Sequence, residues 1–161
     1  MKIKIITTGG TFDKVYFDAL TEFRFGQPAV GALLDESNVS FAYRIESLMQ
    51  KDSLEMIDDD RRLIRGAVER TEESRVLIIH GTDTMIDCAQ YLAGITGKTV
   101  VLFGAMQPAR MRHSDALFNL GFAAAAVQLL PQGIYLAMNG RVFDPHQVAK
   151  NREQGRFVSL E

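Results

Sequence analysis

Cysteine occurs once in the 161 residues, at Cys88, so no internal disulfide can form, and the chain suits a reducing cytoplasm. Cys88 lies in a helix-like segment and reads as a small buried hydrophobe rather than a reactive thiol. Histidine is nearly as scarce. His80, His113 and His146 are widely spaced and form no HExxH or Cys/His pattern, so no metal site is expected. There is little surplus of either charge: the formal net charge is −2, and no block of Lys or Arg stands alone. Counterion-release binding to nucleic acid has little to work with, and no nucleic-acid partner is expected. No apolar stretch approaches the roughly 20 residues that span a bilayer. The longest, Leu117 to Leu130, is broken by Asn119, Gly121 and Gln128, so no membrane association is expected. The apolar run after Met1 is too short for a signal-peptide core and ends at a Gly pair. Repeats, low-complexity tracts and linkers are also missing. These absences leave one soluble domain acting on a small molecule.

Four short apolar runs recur: Ile3 to Thr8, Val76 to His80, Val100 to Gly104 and Ile134 to Met138. They are rich in Val, Ile and Leu without alternation, as strands buried on both faces require. Helical spacing fills the intervals. Ile57 to Arg70 opens with three aspartates, which favour the positive end of a helix dipole. Thr84 to Ile95 and His113 to Leu130 follow, the latter apolar enough to be well packed. The alternation predicts a single α/β domain with a doubly wound, mostly parallel sheet, a flavodoxin-like or Rossmann-like three-layer arrangement. The stretch from Asp13 to Gly31 has no steady period and is expected to be a loop serving as an active-site lid.

Sheets of this kind bind ligands at the carboxyl ends of their strands. Three polar clusters fall at such positions. Thr8-Gly9-Gly10-Thr11 offers a tight turn with amide donors and a hydroxyl; an ordinary glycine turn is the alternative. His80-Gly81-Thr82-Asp83-Thr84 offers a hydroxyl and a carboxylate at a helix start, although Asp83 could be only an N-cap, and His80 is more often structural. Gly104-Ala105-Met106-Gln107-Pro108 is the third, followed by His113-Ser114-Asp115. Those last three cannot form a triad, because adjacent side chains point apart; a helix N-cap by Ser114 or Asp115 is expected, with Met106 as packing filler. A hydroxyl nucleophile needs a base. Lys150 could serve if burial lowers its pKa, or could be a solvated surface lysine.

Taken together, Thr8 to Thr11, His80-Gly81-Thr82-Asp83-Thr84-Met85, Gly104 to Pro108 with Asp115…Phe118-Asn119, and Met138-Asn139-Gly140-Arg141-Val142…Lys150 resemble the ordered motifs of bacterial L-asparaginases, from about Lys4 to Lys150. The resemblance implies hydrolysis of the asparagine side-chain amide to aspartate and ammonia through a threonyl ester, with no cofactor. Thr11 would be the nucleophile, assisted by Tyr16. Thr82, Asp83 and Lys150 would form a second hydroxyl–carboxylate–amine group with Lys150 as base. Ser53, within Asp52-Ser53-Leu54-Glu55-Met56, would bind the substrate α-carboxylate, with Asp52 beside it. Asp83 would hold the α-amino group. Backbone groups around Gly10, Thr11, Gly81 and Thr82 would line the oxyanion site, and the Ala105 carbonyl would accept from the leaving nitrogen.

Two departures stand out. The sequence ends at Glu161, soon after the family lysine, so a single amino-terminal-type domain over residues 1–161 is expected, without the family's smaller carboxy-terminal domain. Leu54 stands where a polar side chain is common in the family. A partner subunit is then expected to shield the site, which makes the protein at least a dimer. Two alternatives stay open: an amino-acid-binding module without turnover, and an amidase for glutamine or another amide. Retention of Thr11, Tyr16 and Lys150 together favours an enzyme.

Overall fold

The computed structural model describes residues 1–160. In chain order these form β1 (Lys2–Gly9), β2 (Lys14–Phe17), β3 (Glu22–Phe25), α1 (Val30–Glu36), β4 (Ala42–Lys51), α2 (Asp58–Arg70) and β5 (Arg75–Ile79). Then come α3 (Met85–Tyr91), β6 (Thr99–Phe103), α4 (Ala116–Leu129), β7 (Gly133–Met138), β8 (Arg141–Phe143), β9 (Val148–Asn151) and β10 (Arg156–Ser159). Single 3-10 turns at Thr11–Asp13 and Ser53–Glu55 follow β1 and β4.

One sheet runs in the order β4-β1-β5-β6-β7-β8. All neighbours are parallel except β7 and β8. Counting only the parallel strands, the spatial order is 2-1-3-4-5, the doubly wound pattern whose direction of winding reverses between β1 and β5. The four apolar runs are its strands, each within one residue of the expected bounds. Every residue of β6, and Val76 to Ile79 of β5, is buried, which requires cover on both faces. α3 packs on β6 and β7, and α4 on β5, β6 and β7. No helix among the described residues is long and apolar enough to cross a membrane.

Three elements differ from expectation. β4 is the edge strand; it pairs only with β1 and intersperses Arg44, Glu46 and Gln50 among its apolar residues, so no continuous apolar run marks it. The Asp13–Gly31 stretch is not an irregular loop, since β2 and β3 form an antiparallel hairpin there, with Tyr16 opposite Phe23. Its pairing is held by side chains across the strands: Tyr16 on Phe23 (centroids 5.4 Å), Arg24 over Phe17 (4.6 Å) and Lys14 over Phe25 (5.7 Å). Most of those residues are exposed, so hydrophobic alternation is absent. α4 starts at Ala116 and buries only one side; Leu117 and Phe118 face outward, and Phe118 stacks on Phe122.

β9 and β10 form a second hairpin outside the main sheet. The Phe157 N–H donates to Asn139 Oδ1 at 2.8 Å, and the buried Phe157 ring meets Phe143 at 6.5 Å. This hairpin carries Lys150 back to the carboxyl end of β5.

Candidate active site

The site begins where β1 and β5 end, at the reversal of winding. The two loops touch through their glycines. Gly10 has φ +71°, and a Cβ there would lie 2.6 Å from Gly81 N and 2.7 Å from Gly81 Cα. Gly81 in turn lies over Ser53: a Cβ on Gly81 would stand 2.7 Å from both Ser53 Cβ and Oγ. Only glycine permits this stacking. Within the strands, the Thr8 hydroxyl donates to the Ile79 carbonyl at 2.7 Å, so the loops leave a common base. Among the described residues, the N–H groups of Thr11 and of Gly81 to Asp83 donate to no carbonyl outside the helices and strands, so backbone donors face the junction.

Thr82, Asp83 and Lys150 meet directly. Lys150 Nζ lies 2.9 Å from Thr82 Oγ1 and 2.7 Å from Asp83 Oδ1. Arg152 reaches the same Asp83 oxygen at 2.9 Å. The lysine side chain is only 15% exposed, so Lys150 is a half-buried group held by its partners and not a freely solvated one. Ser53 is buried and accepts the Thr84 N–H at 3.3 Å, while the Thr84 hydroxyl donates to the Ser53 carbonyl at 2.7 Å. Ser53 therefore ties the turn after β4 to the loop after β5.

The third cluster is fixed from behind. Asp115 holds the N-cap position of α4, but its side chain makes no capping bond: its carboxylate accepts the N–H groups of Met106 (2.9 Å) and Gln107 (3.0 Å). Asn119 donates to the Gly104 carbonyl and to Asp115 Oδ2, each at 3.0 Å. The Ser114 hydroxyl accepts the Ala116 N–H at 3.0 Å. Ala105 is buried inside this brace. Met106 is more than filler, for Thr82 Oγ1 lies 3.7 Å from its sulfur. Met106 also lines a cleft of about 200 Å³ with Thr11, Lys14, Phe23, Gln107 and Pro108. A larger depression, about 400 Å³, lies toward the amino end of β1 and β4. Its lining groups are paired with one another, Lys4 to Glu46 at 2.6 Å and Arg70 to Glu46 at 2.5 Å, so it holds no reactive constellation.

Tyr16 stands apart. It is half exposed on the β2–β3 hairpin against Phe23, and among the described residues it makes no hydrogen bond to Thr11. Asp52 is paired with Lys14 at 2.9 Å and accepts the Leu54 N–H at 3.1 Å. That backbone donor, followed by Lys14, holds its carboxyl below the usual range. Lys14 and Arg152 are the site residues sequence reasoning missed. Lys14 lies three positions after Thr11 and Arg152 two after Lys150, but neither spacing signals chemistry without the pairing partner. Asp13, also missed, is buried at the hairpin base and accepts the Ala29 N–H at 2.9 Å; burial raises its pKa. Among the described residues no group of three or more His, Cys, Asp or Glu side chains is arranged to hold a metal ion.

His80 belongs to the scaffold of this junction. Its ring is buried, with Nδ1 2.7 Å from the Gly81 carbonyl and Nε2 unpartnered. Burial pushes its pKa down to about 4. The neutral ring therefore donates from Nδ1. Because the folded value lies below the ordinary 6.5, the unfolded chain binds the extra proton first. Stability from this group is complete above pH 6.5 and declines as pH falls towards 4, by about 3 kcal/mol in total. Urea titrations at a series of pH values should show this decline, and His80→Asn should flatten it; an unchanged slope in the variant would clear His80 of the effect.

A doubly wound α/β domain thus gathers two threonine loops, a half-buried lysine and a carboxylate at its switch point, the place where sheets of this kind bind ligands. The comparisons give this arrangement its family. Residues 2–157 match the family described as Asparaginase, N-terminal, and the chain belongs to the asparaginase family. Among curated relatives, the glutaminase-asparaginase of Acinetobacter glutaminasificans is 28% identical over 98% of this chain. The probable periplasmic L-asparaginase of Haemophilus influenzae is 29% identical over 92%. The thermostable L-asparaginase from Thermococcus kodakarensis superposes with a TM-score of 0.86 at 26% identity, over 99% of this chain and 51% of its own. The chain spans about half the length of the curated relatives it matches, 52% and 46% respectively.

Proposed function

We propose that this domain hydrolyses side-chain amides of the asparagine type. The observation that carries the reading is the contact of Lys150 Nζ with both Thr82 Oγ1 and Asp83 beside backbone N–H donors that face the junction. A half-buried amine on a hydroxyl favours turnover over binding alone, because it can activate that hydroxyl. In this reading Thr11 Oγ attacks the carboxamide carbon, and its proton passes to the site's base. The N–H groups of Thr11 and Thr82 hold the oxyanion. The C–N bond then breaks, the nitrogen leaves as ammonia with the transferred proton, and the acyl group stays on Thr11 as an ester. Water adds to that ester, Lys150 taking its proton through Thr82; the acyl C–O bond to Thr11 then breaks, that proton returns to Thr11 Oγ, and the carboxylate departs. Ser53 and the start of α3 receive the substrate carboxylate, the Ala105 carbonyl receives the leaving nitrogen, and Tyr16 closes over the cleft.

Thr82 has a second claim as nucleophile, because it is the hydroxyl that Lys150 touches. Ammonia release from L-asparagine and L-glutamine by wild type, Thr11→Ala and Thr82→Val tests both. Loss of turnover by about 10³-fold or more in Thr11→Ala, with no trapped ester, supports the first assignment. An ester still trapped in Thr11→Ala gives the role to Thr82. Folded wild type that releases no ammonia from any side-chain amide rejects the amidohydrolase reading in favour of binding.

Two further parts of the reading concern context. The exposed Phe17, Leu20 and Phe23 on the β2–β3 hairpin support shielding by a second copy, and sedimentation showing an active monomer would reject it. We place the protein in the cytoplasm, where the buried thiol of Cys88, its pKa pushed up to about 12, stays reduced. The relatives divide on this point: one from Campylobacter jejuni is titled cytoplasmic, and the one from Haemophilus influenzae periplasmic.

A further inference from the structure

Asp115 stands at the start of α4 but serves the loop after β6. Its side chain makes no capping bond to the helix. Oδ2 and Oδ1 accept the Met106 N–H at 2.9 and 3.1 Å, and Oδ1 accepts the Gln107 N–H at 3.0 Å. Asn119, one turn further on, donates to Asp115 Oδ2 and to the Gly104 carbonyl, each at 3.0 Å. The Ser114 hydroxyl donates to the Gln107 carbonyl at 3.0 Å. Four consecutive peptide units, from Gly104–Ala105 to Gln107–Pro108, are thus each held at one end by a side chain from the beginning of α4.

The Ala105–Met106 unit is held by its N–H, and that sets where its carbonyl points. A trans peptide is planar, with its C=O and N–H directed oppositely. With the Met106 N–H turned to Asp115, the Ala105 oxygen is directed away from α4. Among the described residues, no backbone N–H outside the helices and strands donates to that oxygen. The loop also presses on the one after β5. A Cβ on Gly104 would lie 2.3 Å from the His80 carbonyl oxygen, and the Met106 sulfur lies 3.7 Å from Thr82 Oγ1. The carboxylate polarises the peptide through its N–H, which makes the oxygen at the far end a stronger acceptor.

We propose that Asp115, steadied by Asn119, is a positioning residue for departure of the amide nitrogen, acting through the Ala105 carbonyl. This rests on the amidohydrolase reading above and deepens it. Before the C–N bond breaks, the nitrogen of the tetrahedral intermediate carries two hydrogens and a lone pair. That lone pair must face the proton that Thr11 gave up. An Ala105 oxygen that accepts one N–H fixes the rotation of the nitrogen, so the proton is taken up and ammonia leaves. An ester presents an oxygen without hydrogens at the same place and has no use for this acceptor.

The test is kcat/KM, which reports the steps up to formation of the enzyme ester, for two substrates. One is L-asparagine or L-glutamine, whichever wild type turns over faster, followed by ammonia release; the other is the matching side-chain methyl ester, followed by methanol release. Asp115→Asn keeps the shape of the side chain but sets an NH2 group against one of the N–H donors. It should lower kcat/KM for the amide by about 10²-fold, the scale of a misplacement of about 1 Å, and for the ester by less than about threefold. Asn119→Ala loosens the same carboxylate while keeping its two loop bonds. It should show the same confinement of the loss to the amide at a smaller factor, and it carries the test if Asp115→Asn does not fold. Equal losses on amide and ester, or no loss on the amide in folded Asp115→Asn, overturn the assignment while leaving amide hydrolysis standing. Wild type that releases no ammonia overturns the underlying reading, and this inference with it.

Discussion

Lys150→Met should lower kcat for ammonia release by about 10³-fold, within the range that a positioned general base supplies. Methionine keeps much of the volume of the stem but removes the amine that touches Thr82 Oγ1 at 2.9 Å and Asp83 Oδ1 at 2.7 Å. The fold should persist, because Asp83 retains Arg152 at 2.9 Å and the hairpin retains its anchors at Asn139 and Phe143. Two roles could account for such a loss: fixed positive charge, or proton acceptance. Lys150→Arg separates them, since a guanidinium supplies charge and donors but cannot lose its proton at any relevant pH. If the amine acts as a base, the arginine variant is about as impaired as the methionine variant. An arginine variant with near wild-type kcat would reduce Lys150 to an electrostatic anchor.

Gly10→Ala should be damaging in two ways at once. The backbone sits at φ +71°, and the new methyl would lie 2.6 Å from Gly81 N. The conformation alone costs about 1–3 kcal/mol for an L-residue. The clash adds a displacement of the Gly81 loop, and a shift of about 1 Å at reacting groups can cost 10²-fold in rate. Gly94→Ala is the control: it has φ +86° but nothing within 4 Å of the added Cβ, so it reports conformational strain by itself. Urea midpoints and kcat measured on both variants should show comparable strain, with the collapse of turnover confined to Gly10→Ala. Equal loss of activity in both would mean that the contact between the two glycine loops is incidental.

The sheet was legible because its strands are buried on both faces. Val76 to Ile79 and Val100 to Phe103 must be apolar throughout, and a continuous apolar run shows without any knowledge of partners. β4 escaped notice for the complementary reason: an edge strand half open to water carries Arg44, Glu46 and Gln50 between its apolar residues, and its partner β1 is distant in sequence. The β2–β3 hairpin is held by exposed rings and cations, which leave no periodic trace. The site divides in the same way. Thr11 and Thr82 follow apolar strands at short range, so motif and position agree, whereas Ser53 follows the unmarked β4 and came only from the family resemblance. Lys150 stayed open between a base and a solvated lysine until the family resemblance, because its meaning lies in a contact 68 residues away along the chain. Asp115 sits at the helix start as a short polar residue should, but its sequence gives no sign that its carboxylate turns back to the loop after β6.

Lys150 and Arg152 ride on β9 and the turn beyond it, and that hairpin shares no ladder with the six-stranded sheet. The threonine loops, by contrast, are extensions of central strands. The domain therefore contains two tiers of cooperativity. Detaching the hairpin sacrifices a few anchoring contacts around Asn139, Arg141 and Phe143, whereas melting the sheet sacrifices the whole core. The cheapest excursion from the native state is one in which the scaffold stays intact and Lys150 swings away, so that warming should part the amine from Thr82 before it unfolds the protein.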